Sequence, residues 1–294
     1  MHQPFFLEGE FSNTEWNEAS FHIIPVPLEE TVTYGKGTSN GPIEIIKAST
    51  QLEQLIEGYG NPGTLGIHTA DIIDRMSFHD LEELFNHTAR IMDASLNAGG
   101  LPILLGGEHS ITNGAIRFIE NRFEKGKVGI IQFDAHMDLR DTYRGSKWNH
   151  ACVMHRAVEI GIPLYQVGIR SFSQEELESR ECYSVLHADA SSLYGQDITA
   201  LTLPECFPKQ LYISFDVDCF DASIMGATGT PEPGGLLWWD AITALGALTQ
   251  GCTILGADVV ELAPADMLHH CNYTAAKLTY AIMALAAQRN GWTC

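Results

Sequence analysis

The sequence predicts an α/β fold in which a central, mainly parallel sheet carries helices on both faces. Three observations predict it. Short apolar runs bounded by turn residues recur along the chain, amphipathic helical patterns fill the intervals, and acidic motifs follow the ends of two of the runs. Strands buried on both faces read as continuous apolar segments, and their alternation with helices is the pattern of a layered α/β sheet. Ligands in such sheets bind beyond the carboxyl ends of the strands, where these motifs lie.

Taken in order, the strands are expected at residues 21–26, 64–67, 101–105, 128–133, 163–169, 211–215 and 253–260. The third runs into Gly106-Gly107, a turn signal. Helical periodicity covers 80–98, with Leu81, Leu84, Ile91 and Leu96 among its apolar positions. It recurs at 111–123, 239–250 and 274–289. The most apolar stretch, 275–287, is short and includes Lys277, so it reads as a packed helix rather than a membrane span.

The chain has 294 residues, 45% hydrophobic and 18% charged, which suits one large domain spanning 1–294. No linker, low-complexity tract or repeat divides it. A formal net charge of −20 argues against nucleic acid and anionic membrane as partners, and agrees with a small cationic substrate. The first ten residues lack the basic and apolar regions of a signal peptide. Seven cysteines, an odd number with no C-x-x-C pair, suggest reduced thiols, so a cytoplasmic protein is expected. Cys152 and Cys219 lie near the acidic motifs and read as small buried hydrophobes, because a carboxylate-rich set prefers hard metals.

The chemistry is concentrated in three motifs. Asp134-Ala135-His136-Met137-Asp138 and Asp216-Val217-Asp218 each follow a strand, and Gly106-Gly107-Glu108-His109 follows another. Alternate side chains of an extended strand share a face, so Asp134, His136 and Asp138 are expected to converge, as are Asp216 and Asp218. Four carboxylates cannot sit together ionised without a cation, and two divalent ions would balance their charge. Imidazole plus carboxylate suits Mn²⁺, and also Zn²⁺, Fe²⁺ or Ni²⁺. These are the marks of a two-metal hydrolase. Asp221 reads instead as a capping or turn residue. The Gly106–Ser110 segment lacks the G-K-[ST] element of a phosphate loop. The Gly-rich stretch from Tyr34 to Pro42 reads either as a loop over the site mouth or as a plain surface turn.

Four spaced motifs occur in order: Gly-Gly-Glu-His-Ser from Gly106, Phe-Asp-Ala-His-Met-Asp from Phe133, Ser-Phe-Asp-Val-Asp-Cys-Phe-Asp from Ser214 and Thr-Gly-Thr-Pro-Glu-Pro-Gly-Gly from Thr228. Together they resemble the ureohydrolases, the family of arginase, agmatinase and relatives, with the details most like agmatinase. The likeness runs from Ile24-Pro25-Val26-Pro27 to Glu261-Leu262-Ala263-Pro264. It implies a three-layer α/β/α sandwich of the arginase/deacetylase-like kind, two Mn²⁺ per chain, a homotrimer or homohexamer, and release of urea from a guanidino compound. Carried over by position, it implies that His109, Asp134, Asp138 and Asp216 hold one ion. Asp134, His136, Asp216 and Asp218 would hold the other. His150 would be the proton-shuttling histidine and Glu261 the carboxylate that receives the guanidinium.

The expected reaction is agmatine to putrescine and urea, a step of polyamine biosynthesis. Agmatine's second positive charge suits acidic surroundings, whereas a substrate carboxylate would need donors the loops do not offer. Guanidinobutyrate, guanidine, arginine and formimidoylglutamate are the alternatives. Two departures from the family pattern, Gly226-Ala227 ahead of Thr228 and Ala151 after His150, bear on the pocket mouth and leave the ligand positions intact. A zinc deacetylase of the same fold class would need a different ligand set, and a non-catalytic relative would be expected to have lost ligands.

Overall fold

The computed structural model describes residues 3–293. Eight strands form one sheet: β1 Phe21–Val26, β2 Ile67–Thr69, β3 Leu101–Gly106, β4 Val128–Phe133, β5 Leu164–Val167, β6 Leu186–Ala188, β7 Gln210–Asp216 and β8 Thr253–Val260. The helices are α1 Gly41–Ser49, α2 Leu81–Asn97, α3 Asn113–Arg122, α4 Val153–Glu159, α5 Gln174–Cys182, α6 Ala190–Leu193, α7 Trp238–Leu248 and α8 His269–Arg289. The sheet order is β2-β1-β3-β8-β7-β4-β5-β6, and every strand pair is parallel.

Every residue of β1, β3, β4 and β5 is buried, which is why these segments are mostly apolar, with His22, Gln132 and Gln166 as their buried polar members. Successive side chains feed two cores. Ile23, Ile103, Ile131, Ile213 and Val259 pack with α1, α7 and α8 on one face. Ile24, Leu104, Ile130, Tyr212 and Val260 pack with α2, α3 and α4 on the other. The result is the α/β/α sandwich expected from the sequence. Helix α8 is the packed helix foreseen around Lys277, and among the described residues no helix is long and apolar enough to cross a membrane.

Helix α2 starts where Asp80 accepts a hydrogen bond from the Glu83 amide, satisfying a donor that the first turn leaves free. The expected strand at 64–67 differs: Pro62–Leu65 forms a 3-10 turn and β2 begins only at Ile67. Pro62 favours that turn because its φ is fixed and it brings no N–H.

β7 and β8 stay in register through Leu211↔Ile254 and resume at Tyr212↔Gly256, so Leu255 is an extra residue in β8. The bulge sets Asp258 opposite Ser214; without it Ser214 would face Ala257.

Candidate active site

The carboxyl ends of four neighbouring strands, β3, β8, β7 and β4, deliver the chemistry. Phe133 and Phe215 are register partners whose rings stack at 4.9 Å, and the residues that follow them are Asp134 and Asp216. Strand alternation gathers no more than this. Residues 134–140 leave the sheet as irregular backbone, and Asp218 lies in the 3-10 turn Val217–Cys219. What draws the motifs together is local capping. Asp134 Oδ1 accepts from the His136 amide at 2.6 Å, and Asp216 Oδ1 accepts from the Asp218 amide at 2.8 Å. Each aspartate curls the next two residues back towards itself. Asp138 completes its turn with φ +53°, a strained value for a residue with a Cβ.

The second oxygens face inwards. His109 Nδ1 lies 3.1 Å from Asp138 Oδ2, 3.2 Å from Asp134 Oδ2 and 3.5 Å from Asp216 Oδ2. His136 Nδ1 lies 3.0 Å from Asp218 Oδ2 and 3.6 Å from Asp134 Oδ1. His109, Asp134 and Asp216 form one group able to hold a metal ion, and Asp134, His136 and Asp218 form a second, with Asp134 common to both. His109 Nδ1 is buried without a hydrogen-bond partner. A buried ring nitrogen facing three carboxylate oxygens is a cation cradle, so the donor set fits a pair of divalent ions.

Behind these residues runs a polar row across the sheet. Gln166, Gln132, Ser214 and Asp258 are register neighbours on β5, β4, β7 and β8. Ser214 Oγ donates to Asp258 Oδ1 at 2.8 Å and lies 2.8 Å from His109 Nε2. The hydroxyl's one hydrogen goes to the carboxylate, so Nε2 is the donor, and in the neutral ring Nδ1 is the nitrogen that carries the lone pair towards the site. Gln132 Nε2 donates to Asp134 Oδ2 at 2.7 Å, and Gln166 Nε2 donates to Gln132 Oε1 at 2.7 Å. Arg170 donates to the carbonyls of Asp218, Phe220 and Glu232, tying the second acid turn to the loop that carries Thr230.

Electrostatics show how poorly the bare cluster holds its charge. Burial, then the neighbouring Asp134, pushes Asp138 up to about 7. Burial, then Asp218, Asp134 and Glu261, lifts Asp216 well above the usual carboxylate range. Burial opposes charge on His109 and His136, but the aspartates around them prevail and raise both well above an ordinary histidine. Burial also opposes charge on Asp134, yet the two imidazoles hold it below the ordinary range. Carboxylates this crowded and buried are an environment whose charge a cation relieves.

Glu261 follows β8 with φ +64°. Its amide donates to Gly107 O at 2.8 Å, and its Oε1 accepts from the His109 amide at 2.6 Å. Oε2 is directed past Gly229, where a Cβ would stand 3.6 Å from it. Burial raises the Glu261 pKa well above normal. His150 sits in a 3-10 turn capped by Asn149, on another wall of the same cavity. The cavity measures about 230 Å³, with Thr33, Arg140, Tyr143 and Phe172 also in its lining.

All eight residues singled out in the sequence are near this cavity. His109, His136, Asp138, Asp216, His150 and Glu261 line it, with Asp134 and Asp218 hydrogen-bonded around its floor. Asp221 is a turn residue, accepting from the amides of Ser223, Gly234 and Gly235. The loop after β1 brings Thr33 to the cavity, and within the Gly-rich stretch the Gly35 amide donates to Gly229 O at 2.9 Å while Tyr34 is exposed. The Gly226-Ala227 departure sits where Ala227 O accepts from the Ala263 amide, fastening this loop beside Glu261. Sequence reasoning missed Glu108, Thr31, Ser214, Asp258 and Arg140. The signal for Ser214 and Asp258 was a polar residue inside an apolar strand.

A parallel α/β sheet with paired His/Asp groups and the further buried carboxylate of Glu261 at its strand ends fits a hydrolase with a binuclear-type metal centre. Residues 19–285 match the model of the Arginase family. Agmatinase of Pyrococcus horikoshii is 34% identical over 286 residues, covering 96% of this chain and 97% of that protein. N(1)-aminopropylagmatine ureohydrolase of Synechocystis is 32% identical over 289 residues, covering 95% and 92%. The crystal structure of agmatine ureohydrolase of Thermoplasma volcanium superposes with a TM-score of 0.84 at 28% identity, covering 98% of this chain and 95% of that one. The chain belongs to the arginase family of ureohydrolases, hydrolases of guanidino C–N bonds.

Proposed function

We propose that this protein is an agmatinase, hydrolysing agmatine to putrescine and urea with two Mn²⁺. His109, Asp134, Asp138 and Asp216 would hold one ion, and Asp134, His136, Asp216 and Asp218 the other. The observation that carries the reading is the pair of His/Asp groups sharing Asp134 below the Glu261 carboxylate. The names of the similar proteins support a guanidino substrate with a cationic tail, agmatine or its N(1)-aminopropyl extension. When bound, the ions supply an activated water and electrophilic assistance at the guanidinium carbon.

The chain's own residues do the rest. Glu261 is pinned at Oε1 by the His109 amide, which leaves Oε2 to accept from a guanidinium N–H and fix the plane of the group. Burial holds the His150 pKa below its ordinary value despite the nearby Glu108 carboxylate, so the imidazole is neutral at pH 7 and free to accept a proton. The same imidazole then returns that proton to the departing amine, which cannot leave as an anion. Tyr143 and Phe172, which line the cavity, would flank the tail.

One observation favours a second reading. Contrary to the sequence expectation, the cavity wall does hold a donor: Arg140, with Glu176 at 3.6 Å and Glu175 at 3.9 Å. Engaged by those acids it tolerates a cationic tail; released, it would receive the carboxylate of guanidinobutyrate. Urea release from agmatine, N(1)-aminopropylagmatine, guanidinobutyrate and arginine with Mn²⁺ decides between them. Agmatine is expected to have the highest kcat/KM, and a Mn²⁺-loaded chain that releases urea from none of these compounds refutes the proposal. His150→Ala is expected to lower kcat while metal content stays the same. A homo-oligomer in the cytoplasm completes the proposal, the compartment being supported by the six free cysteines among the described residues.

A further inference from the structure

Three segments far apart in sequence meet behind His150: the loop after β1, the turn after β3 and the turn that carries His150 itself. Glu108 is fully buried there and accepts four hydrogen bonds. They come from the amides of Glu30 at 2.7 Å and Thr31 at 2.6 Å, and from the hydroxyls of Thr31 at 2.7 Å and Ser110 at 2.5 Å. A carboxylate with four donors aimed at it is an acceptor only. The Thr31 hydroxyl has a single hydrogen, and Glu108 takes it. Thr31 Oγ1 is therefore an acceptor towards its other two neighbours, the His150 amide at 3.0 Å and His150 Nδ1 at 3.0 Å.

We infer that Thr31 and Glu108 are positioning residues that fix His150 in the Nδ1–H tautomer, with unprotonated Nε2 left to exchange protons in the cavity. A hydroxyl that must accept can bond only to a protonated Nδ1, and a neutral imidazole carries one proton. The buried carboxylate behind the hydroxyl also favours the imidazolium that forms when Nε2 takes a proton. The Thr31–His150 amide bond holds the turn at the same distance, so one side chain sets both the placement and the tautomer of the ring. This inference rests on the shuttle role proposed for His150 and adds the residues that prepare it. Nothing else in the motif around Glu108 accounts for that carboxylate, which lies beside His109 yet turns away to the Thr31 loop.

The test has two arms. In the first, ¹⁵N NMR of the full chain loaded with diamagnetic Zn²⁺ reads the His150 ring, assigned by its disappearance in His150→Gln. The Nδ1–H tautomer is expected in the native chain and mixed tautomers in Thr31→Val; an Nε2–H tautomer in the native chain overturns the inference. In the second, Thr31→Val is expected to lower kcat about 10–100-fold, with KM and metal content little changed, and Thr31→Ser to restore it. Unchanged kcat in Thr31→Val, or equal loss in Thr31→Ser, overturns it. Should Thr31→Val not fold, the native spectrum and Thr31→Ser still decide. If no guanidino compound yields urea, the proposed function fails while the spectroscopic arm still reports on the relay.

Discussion

Replacing Ser214 with alanine removes one oxygen and separates two buried groups. Ser214 Oγ donates to Asp258 Oδ1 and accepts from His109 Nε2, each at 2.8 Å, and all three residues are essentially inaccessible. A buried donor or acceptor left unmade costs about 1–3 kcal/mol. Asp258 is partly protected, because Thr112 Oγ1 and Tyr212 OH still donate to its Oδ2 at 2.9 Å. His109 has no such reserve, so its ring loses both its orientation and the bond that keeps the lone pair on Nδ1. If His109 holds a metal as proposed, loss of a hydrogen bond of this kind behind it weakens binding by about 10–100-fold, equivalent to about 1.4–2.7 kcal/mol. Calorimetric titration of Ser214→Ala with Mn²⁺ should show that weakening, and chemical denaturation a stability loss of about 1–3 kcal/mol. Tyr212→Phe is the control: it strips one donor from the same carboxylate but leaves Ser214 and His109 joined. It should cost about 1 kcal/mol of stability and leave metal affinity unchanged. Equal metal affinities for Ser214→Ala, Tyr212→Phe and the native chain would refute the assignment of His109 Nδ1 to the metal side.

Further outcomes follow from the same geometry. A Cβ on Gly107 would stand 1.9 Å from Leu28 O, and backbone cannot yield as a side chain would, so Gly107→Ala should lose about 3 kcal/mol or more in urea denaturation. Retention of native stability would show that the β1 and β3 loops are free to separate. Metal loading should expel protons, because Asp138 titrates near 7 and Asp216 also lies high in the bare cluster. Affinity should therefore rise with pH through about 7, and calorimetry in two buffers of different ionisation enthalpy should register the release; none would contradict the clustered charge. The sign for stability is opposite. Folded pKa values raised above the unfolded ones, as for Asp138, His109 and His136, stabilise the metal-free fold at low pH and lose that contribution as pH climbs through the folded values. The melting temperature of the metal-free chain should fall as pH rises from about 4 through about 7, the span between the unfolded and folded values of Asp138, and bound metal should oppose that fall.

The strands that were legible are those buried on both faces. β4 and β8 begin and end where their apolar runs do, and α2 is announced by its Asp80 cap. β6 was not legible, because it has three residues at the sheet edge and its His187 is exposed, so no apolar run marks it. α1 hides behind Gly41-Pro42 in a Gly-rich stretch, although Pro in the first turn of a helix is a starting signal. α5 carries a full capping box between Ser173 and Glu176, readable as S-x-x-E, but too few apolar residues to read as amphipathic.

The site was legible for the residues that touch its centre, and opaque for the reason they meet. Alternation in an extended strand predicted the right side chains from a geometry the backbone abandons at Asp134 and Asp216. Asp134 and Asp216 instead draw in His136 and Asp218, because each accepts the amide two positions ahead. The supporting groups depend on facts no single strand contains. Asp258 faces Ser214 only because of the extra residue at Leu255, and Ser214 reaches His109 only because β3 and β7 flank β8. Thr31 reaches His150 across 119 residues of chain. The residues that line the cavity are thus marked by their type and spacing, while those hydrogen-bonded behind them are fixed by register and loop packing. Exchanging Ser214 or Thr31 should therefore disturb proton placement while leaving every motif residue intact.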